Sequence, residues 1–349
     1  MKILPSKNLK PYNSFSVNQH ADLIIEANTI QDLIDIWADD KYSTMIKLPL
    51  GRGSNTLFCN DFNGIVVLNR LYGKSIEETE IDYLLKVASG EDWPKLVEWC
   101  IAQSLPGMEN LAMIPGCAGS APIQNIGAYG LELKDICDSV EYLDLESLEL
   151  KTLNNTECLF GYRDSIFKNA LKDRCIITSI TLRLTKEWTP RLSYGPLDGL
   201  RNAKTTVRDV FNTICDIRSR KLPDPCILGN AGSFFKNPVI SDEHYLYLCD
   251  IYSDLPAYNV DNGKKIAAGW LIDNAGLKGF SINEAQVHKE QALVLVNNGH
   301  ATASDILQLA NHVKDIVFEK YQIELEHEVR FYADGKETFL SELFDERTC

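Results

Sequence analysis

Leu50-Gly51-Arg52-Gly53-Ser54-Asn55-Thr56 closes one strand-like run, Tyr42 to Leu50, and leads into a second, Gly64 to Leu68. Glycines at 51 and 53 leave backbone N–H groups uncovered, so the turn can form a nest for an anion such as a diphosphate. The spacing begins like the dinucleotide fingerprint G-x-G-x-x-G. It then departs from it: Thr56 stands where the third glycine belongs, and strand follows where a helix should start. A conventional doubly wound dinucleotide fold is therefore disfavoured, and an ordinary tight turn stays open for these residues taken alone.

Working outward, Asn28-Thr29 caps a helix carrying Ile30, Leu33, Ile34 and Trp37. Tyr83 to Ala88 reads as a strand, and Asp92 caps a helix with Pro94 in its first turn. Short β runs follow at Ser139–Leu145, Leu148–Leu153 and Cys175–Leu184, as in an α+β domain with an antiparallel or mixed sheet. A helix over Thr205–Arg220 runs into Lys221-Leu222-Pro223-Asp224-Pro225, a domain junction. Beyond it come an amphipathic helix near 241–252, a strand at Ala292–Val296 and a helix from Ser304 to Tyr321 with Ile306, Leu309, Ala310, Val313, Ile316 and Val317 as its core stripe. Ile323 to Tyr332 reads as a closing strand, and the last 15 or so residues as weakly ordered.

Ile114 to Gly130 holds four glycines and two prolines in 17 residues. That composition makes a long shaped loop rather than a helix or strand, and loops of this length in compact domains are usually functional. Gln124 and Asn125 within it suit a ring edge that both donates and accepts hydrogen bonds. Arg163, in Gly161-Tyr162-Arg163-Asp164, offers a planar fork for a carboxylate, although beside Asp164 a surface ion pair competes as an explanation. Ser233, in Gly229-Asn230-Ala231-Gly232-Ser233-Phe234-Phe235-Lys236-Asn237-Pro238, sits on a sharp turn without a neighbouring base, so it does not read as a nucleophile. In Glu326-His327-Glu328-Val329-Arg330 the two glutamates share one strand face and His327 takes the other. A glutamate buried there holds its proton to higher pH than usual.

The formal net charge of -14 argues against nucleic acid or an anionic membrane as partner. No apolar run is long enough for a membrane span, and the start of the chain lacks the apolar stretch of a signal peptide, so a cytoplasmic protein is expected. Ten cysteines without a Cys-x-x-Cys pair give no zinc pattern and read as small buried hydrophobes; no metal is expected.

Together these segments resemble the UDP-N-acetylenolpyruvoylglucosamine reductase family in its longer form. The resemblance rests on Gly127-Ala128-Tyr129-Gly130, Gly161-Tyr162-Arg163, Lys221 to Pro225, Gly229 to Pro238, Ala268-Gly269-Trp270-Leu271-Ile272-Asp273 and Glu328-Val329-Arg330, in order. It implies an α+β protein of three domains. Two form an FAD-binding unit of the vanillyl-alcohol-oxidase/PCMH-like type, at 1–72 and 73–217, the latter joined by the C-terminal strand from 323. The third, an α+β substrate domain, spans 218–322. It further implies non-covalent FAD, NADPH as hydride donor and reduction of an enolpyruvyl sugar nucleotide by a monomer.

By the same resemblance, Ser233 gives a proton to C2 while Arg163 and Glu328 stabilise the enolate-like intermediate. FAD contacts fall on Gly51, Arg52, Gly53, Ser54, Asn55, Gly119, Ser120, Gln124, Asn125, Gly127, Tyr129 and Arg218. Substrate contacts fall on Tyr162, Tyr194, Lys221, Asn237 and Gln291. Arg52 fills a variable slot of the turn and adds charge near the diphosphate. Two rival readings remain at this level. One is a different flavin oxidase or dehydrogenase, although His20, the only histidine among the first hundred residues, sits in no covalent-attachment signature. The other is a sugar-nucleotide-binding module without flavin.

Overall fold

In the computed structural model, which describes residues 1–201 and 204–345, Thr29 caps the helix Ile30–Ala38 by a reciprocal pair. Its side chain accepts from Asp32 N, and the Asp32 carboxylate accepts from Thr29 N. The chain forms two compact units. The first comprises Met1–Ser6, Leu23–Arg52 and Gly64–Arg220; the second comprises Lys7–Asp22, Gly53–Asn63 and the chain from Lys221 onward.

The first unit carries two larger sheets. One runs in the order Lys2–Ile3, Ala21–Ala27, Phe62–Asn69, Lys47–Leu50, the last two parallel. The other is antiparallel throughout, in the order Leu150–Asn154, Cys137–Asp144, Cys175–Thr185, Asp82–Ala88, Lys74–Glu78. The helix Trp93–Ala102, with Asp92 accepting from Lys95 N, buries Leu96, Val97 and Cys100 in the core beside that sheet. The strand expected over Tyr42–Leu50 is shorter, Lys47–Leu50, because Asp39 caps a 3-10 turn at Asp40–Tyr42 by accepting from Lys41 N.

In the second unit the sheet Gly229–Ser233, Val294–Asn297, Ala285–Val287, Ser281–Ile282 packs with the helix Ala303–Tyr321. That helix fully buries Ile306, Leu309, Val313 and Val317, each worth roughly 1.5–3 kcal/mol before the entropy of ordering is subtracted. Thr302 caps it, again reciprocally with Asp305. Thr302→Ala removes one of those bonds and is expected to cost about 1 kcal/mol, read as a lower urea midpoint at unchanged slope.

Four expectations need correction. The closing strand is only Arg330–Ala333, and upstream of it His327 makes a single bridge with Phe235. The His327 ring bonds forward to Val329 O, which breaks the regular ladder. The strand Arg330–Ala333 pairs with Thr56–Phe58 in parallel and with Lys336–Thr338 in antiparallel, so it lies in the second unit rather than with residues 73–217. The end of the chain is ordered through Asp345: the helix Leu340–Asp345 follows, and Leu340 is buried in the core. The nine described cysteines are free thiols; Cys226 is exposed against expectation, and Cys349 lies outside the described residues. Among the described residues no helix is long and apolar enough to cross a membrane.

Candidate active site

In the first unit the strand Lys47–Leu50 ends at Gly51, where a Cβ would lie 2.5 Å from Cys117 Sγ. The turn thus presses against the loop that begins at Ile114. Arg52 is exposed and pairs with Asp92 at 3.2 Å. Arg70 Nη1 donates to Gly51 O at 3.2 Å. In the second unit, Gly53 has φ +60° and its Cβ position lies 2.0 Å from Tyr12 O, which only glycine tolerates. Ser54 is half-buried beside it. Asn55 Nδ2 donates to Glu328 O at 3.1 Å.

The loop from 114 to 130 is built on close approach. Gly119 N donates to Ser89 O at 2.8 Å, and a Cβ there would meet Ser89 Cβ at 2.5 Å. The Ser120 hydroxyl closes a small turn with Cys117, donating to its carbonyl and accepting from its N–H. Gln124 is half-buried on the same loop. Asn125 is fully buried at φ +44°, and its amide is consumed within the protein. Nδ2 donates to Glu132 Oε2 and to Gly161 O, each at 2.9 Å, and Oδ1 accepts from Lys134 N. Asn125 therefore shapes the loop from behind, a use that differs from the ring-edge contact read in the sequence. Gly127 pairs with Glu132 in a short hairpin.

This loop holds the Arg163 turn. Ser165 Oγ donates to Ile123 O at 2.7 Å, Asn125 reaches Gly161 O, and Arg163 Nη2 donates to Gly127 O at 3.1 Å. Arg163 has φ +54°, and its guanidinium lies 5.5 Å from the centre of the exposed Tyr162 ring. Non-glycine residues with positive φ carry strain that neighbouring contacts must hold in place. Tyr129, at φ +50°, meets Tyr194 edge-on with ring centres 5.1 Å apart. Burial raises the Tyr129 phenol, and Arg218 close by opposes that rise. Arg218 donates to Met113 O, while its buried Nε has no acceptor among the described residues; burial lowers its own pKa. Lys221 ends the helix Val207–Lys221 and is exposed.

In the second unit Ser233 ends the strand Gly229–Ser233, opposite Val294. Asn230, buried, accepts from Gly232 N at 2.9 Å and sets the φ +71° kink that precedes Ser233. Past Ser233 the chain runs beside the segment around Glu328. Glu328 N donates to Phe234 O at 2.7 Å, and Lys236 N donates to Glu326 O at 2.9 Å. Phe234, which follows Ser233, and Glu328 are thus backbone neighbours, whereas Arg163 belongs to the first unit. Asn237 Oδ1 accepts from Ala268 N, capping the short helix Ala268–Asn274. Gln291 Oε1 lies 3.4 Å from where a Cβ on Gly269 would be, so Asn237 and Gln291 sit at one end of that helix. Asn69, Arg70 and Ser89 also bear on these loops, signalled in the sequence only by a polar pair that ends the apolar run Ile65 to Leu68.

His327 adjoins Glu328. Its Nδ1 donates to Val329 O at 2.6 Å, its ring stacks on Phe331, and its buried Nε2 has no partner among the described residues. Burial, assisted by Lys236, holds its pKa below the ordinary imidazole value against Val329 O, Glu337 and Glu326. The neutral ring is favoured in the fold, so the stability it contributes is full above about pH 6.5 and is lost as pH falls below that. The thermal midpoint is expected to fall from pH 7.5 to 5.5 more steeply in the parent than in His327→Phe. His288, also lowered by burial, remains in both and sets a shared slope. Equal slopes in melts of the two proteins would remove His327 as the cause.

The glycine-floored loops and the unmatched Arg218 Nε fit a large anionic cofactor with a flat ring. Residues 21–148 match the FAD binding domain family, and residues 224–332 match the C-terminal domain of UDP-N-acetylenolpyruvoylglucosamine reductase. The chain is 75% identical over 348 residues to the UDP-N-acetylenolpyruvoylglucosamine reductase of Aliivibrio fischeri, covering 100% of both chains. It is 53% identical to that of Photobacterium profundum, covering 98% of this chain and 99% of the relative. The fold is similar to the crystal structure of UDP-N-acetylenolpyruvylglucosamine reductase from Thermus caldophilus, with TM-score 0.67 and 22% identity, covering 95% of this chain and 98% of that one. The chain belongs to the UDP-N-acetylenolpyruvoylglucosamine reductase family and is an FAD-dependent oxidoreductase.

Proposed function

We propose that the chain reduces UDP-N-acetylglucosamine enolpyruvate to UDP-N-acetylmuramate at the expense of NADPH, with Ser233, Arg163 and Glu328 as its catalytic residues. The observation that carries this reading is the 2.7 Å bond from Glu328 N to Phe234 O, which keeps an acid next to the residue following Ser233. When bound, FAD supplies two-electron chemistry, in which hydride from NADPH reaches C3 of the enolpyruvyl double bond. Arg163 binds the substrate carboxylate, onto which negative charge moves from C2. Glu328, protonated, donates a hydrogen bond to the same carboxylate. Ser233 Oγ gives its proton to C2, which completes the lactyl ether, and the serine recovers a proton from solvent. Charge is thereby met where it develops, the largest usual source of catalytic stabilisation.

Tyr162, Tyr194, Lys221, Asn237 and Gln291 hold the sugar nucleotide, with Lys221 and Tyr194 on diphosphate oxygens. The turn from Gly51 to Asn55 takes the FAD diphosphate, and Gly119 to Tyr129 flank the ring system. Residues 1–72 and 73–217 form the flavin unit and 218–322 the substrate domain. The enzyme acts as a monomer in the cytoplasm without a nucleic-acid or membrane partner, in keeping with its acidic charge. Purified protein is expected to be yellow and to oxidise NADPH only when the enolpyruvyl sugar nucleotide is present. A colourless protein that takes up no flavin, or NADPH oxidation independent of that substrate, would refute the assignment. Glu328→Gln keeps a donor but loses the acid, and single-turnover substrate reduction is expected to slow at least tenfold. Near-parental rates would remove Glu328 from the mechanism.

A further inference from the structure

The strand Phe62–Asn69 is apolar over Ile65 to Leu68 and then turns polar at Asn69 and Arg70. Asn69 is buried and donates to Ser89 Oγ at 2.7 Å; Ser89 O in turn accepts from Gly119 N. Arg70 is half-buried and donates from Nη1 to the carbonyls of Gly51, at 3.2 Å, and of Asn69, at 3.3 Å. This polar pair therefore ties the Gly51 turn and the Gly119 loop together within the first unit. Arg52, on the same turn, is matched by Asp92. Arg70 has no carboxylate within ion-pair distance among the described residues. In a chain of net charge -14, a half-buried guanidinium left without a carboxylate calls for an anion from outside.

The peptide plane adds a directional reason. A trans peptide points its C=O and the following N–H in opposite directions. By holding Gly51 O, Arg70 turns the Arg52 N–H to the opposite side of that plane. We propose that Arg70 is a positioning residue for the flavin diphosphate: it fixes the Gly51–Arg52 peptide so that the amide faces the phosphate, and it supplies the positive charge that Arg52 spends on Asp92. The proposal rests on the reading that the turn beginning at Gly51 receives the FAD diphosphate.

The test is flavin binding by the full-length chain, measured by quenching of flavin fluorescence with FAD and with riboflavin, which lacks phosphate. Arg70→Ala is expected to weaken FAD about tenfold to a hundredfold, the worth of a charge-assisted contact, and to leave riboflavin within about twofold. Arg70→Lys keeps the charge but not the fork and is expected to recover part of the loss. FAD affinity of both variants within about twofold of the parent overturns the role of Arg70. Equal weakening of FAD and riboflavin, together with a lower thermal midpoint of the flavin-free chain, also overturns it, since Arg70 then only holds the fold. Should Arg70→Ala fail to fold, the Arg70→Lys titration decides between these outcomes. If the parent itself binds riboflavin as tightly as FAD, the diphosphate reading fails, and the proposal with it.

Discussion

Ser233→Ala is expected to slow reduction of the enolpyruvyl substrate about 10²–10⁴-fold while reduction of the flavin by NADPH proceeds at the parental rate. General acid catalysis by one positioned group is worth that much. The substitution is also structurally mild. Ser233 is half-buried at a strand end, with Phe234 and Phe235 buried after it and the Asn230–Gly232 contact before it. None of those contacts uses the Ser233 side chain, and its hydroxyl has no hydrogen-bond partner among the described residues. Loss of the hydroxyl therefore removes a proton source without unlocking the turn. Stopped-flow absorbance at the flavin band separates the two half-reactions. A Ser233→Ala enzyme whose substrate half-reaction runs within a few-fold of the parent would show that the proton comes from elsewhere.

Elements governed by local chemistry were legible in the sequence. Thr29 and Asp92 cap helices that start where the sequence placed them, and the helix expected from Ser304 begins one residue earlier, at Ala303. The stripe from Ile306 to Val317 states its buried face by spacing alone, with the partly buried Ile316 at its edge. What escaped depends on partners distant along the chain. Asn125 reads as a free amide in a glycine-rich loop, yet Glu132, Lys134 and Gly161 absorb all of it. The pairing of Arg52 with Asp92, a helix cap 40 residues on, is likewise invisible in the sequence. The run from Ile323 to Tyr332 does alternate as a strand should: Leu325, Val329 and Phe331 are buried and Glu326 is exposed. Alternation specifies faces but not pairing partners, so neither the single bridge at His327 nor the parallel pairing with Thr56–Phe58 was readable. The nearness of Ser233 to Glu328 is of the same kind. Nothing local announces it, and family resemblance alone pointed to it.

Arg163→Ala is expected to lower kcat by about 10²–10³-fold, the usual cost of removing one donor aimed at developing charge. The fold around it limits what else the substitution changes. The turn is anchored by Ser165 Oγ on Ile123 O, by Asn125 on Gly161 O and by Lys168 Nζ on the Arg163 carbonyl, none of which requires the guanidinium. The bond to Gly127 O and the contact over the Tyr162 ring are lost with it. The positive φ of residue 163 is as strained for alanine as for arginine, so the backbone gains no new cost. Arg163→Lys is the sharper variant. It restores charge without the planar pair of donors, and because the two side chains are not interchangeable at a forked site, it is expected to recover less than tenfold of the loss. Steady-state kcat and KM for both variants, with the flavin-reduction rate as internal control, distinguish the possibilities. A loss confined to KM would make Arg163 a binding group with no greater hold on the transition state than on the substrate, because uniform binding leaves kcat unchanged. A lysine variant with full kcat would show that charge alone suffices and that the fork geometry held by this turn is not used.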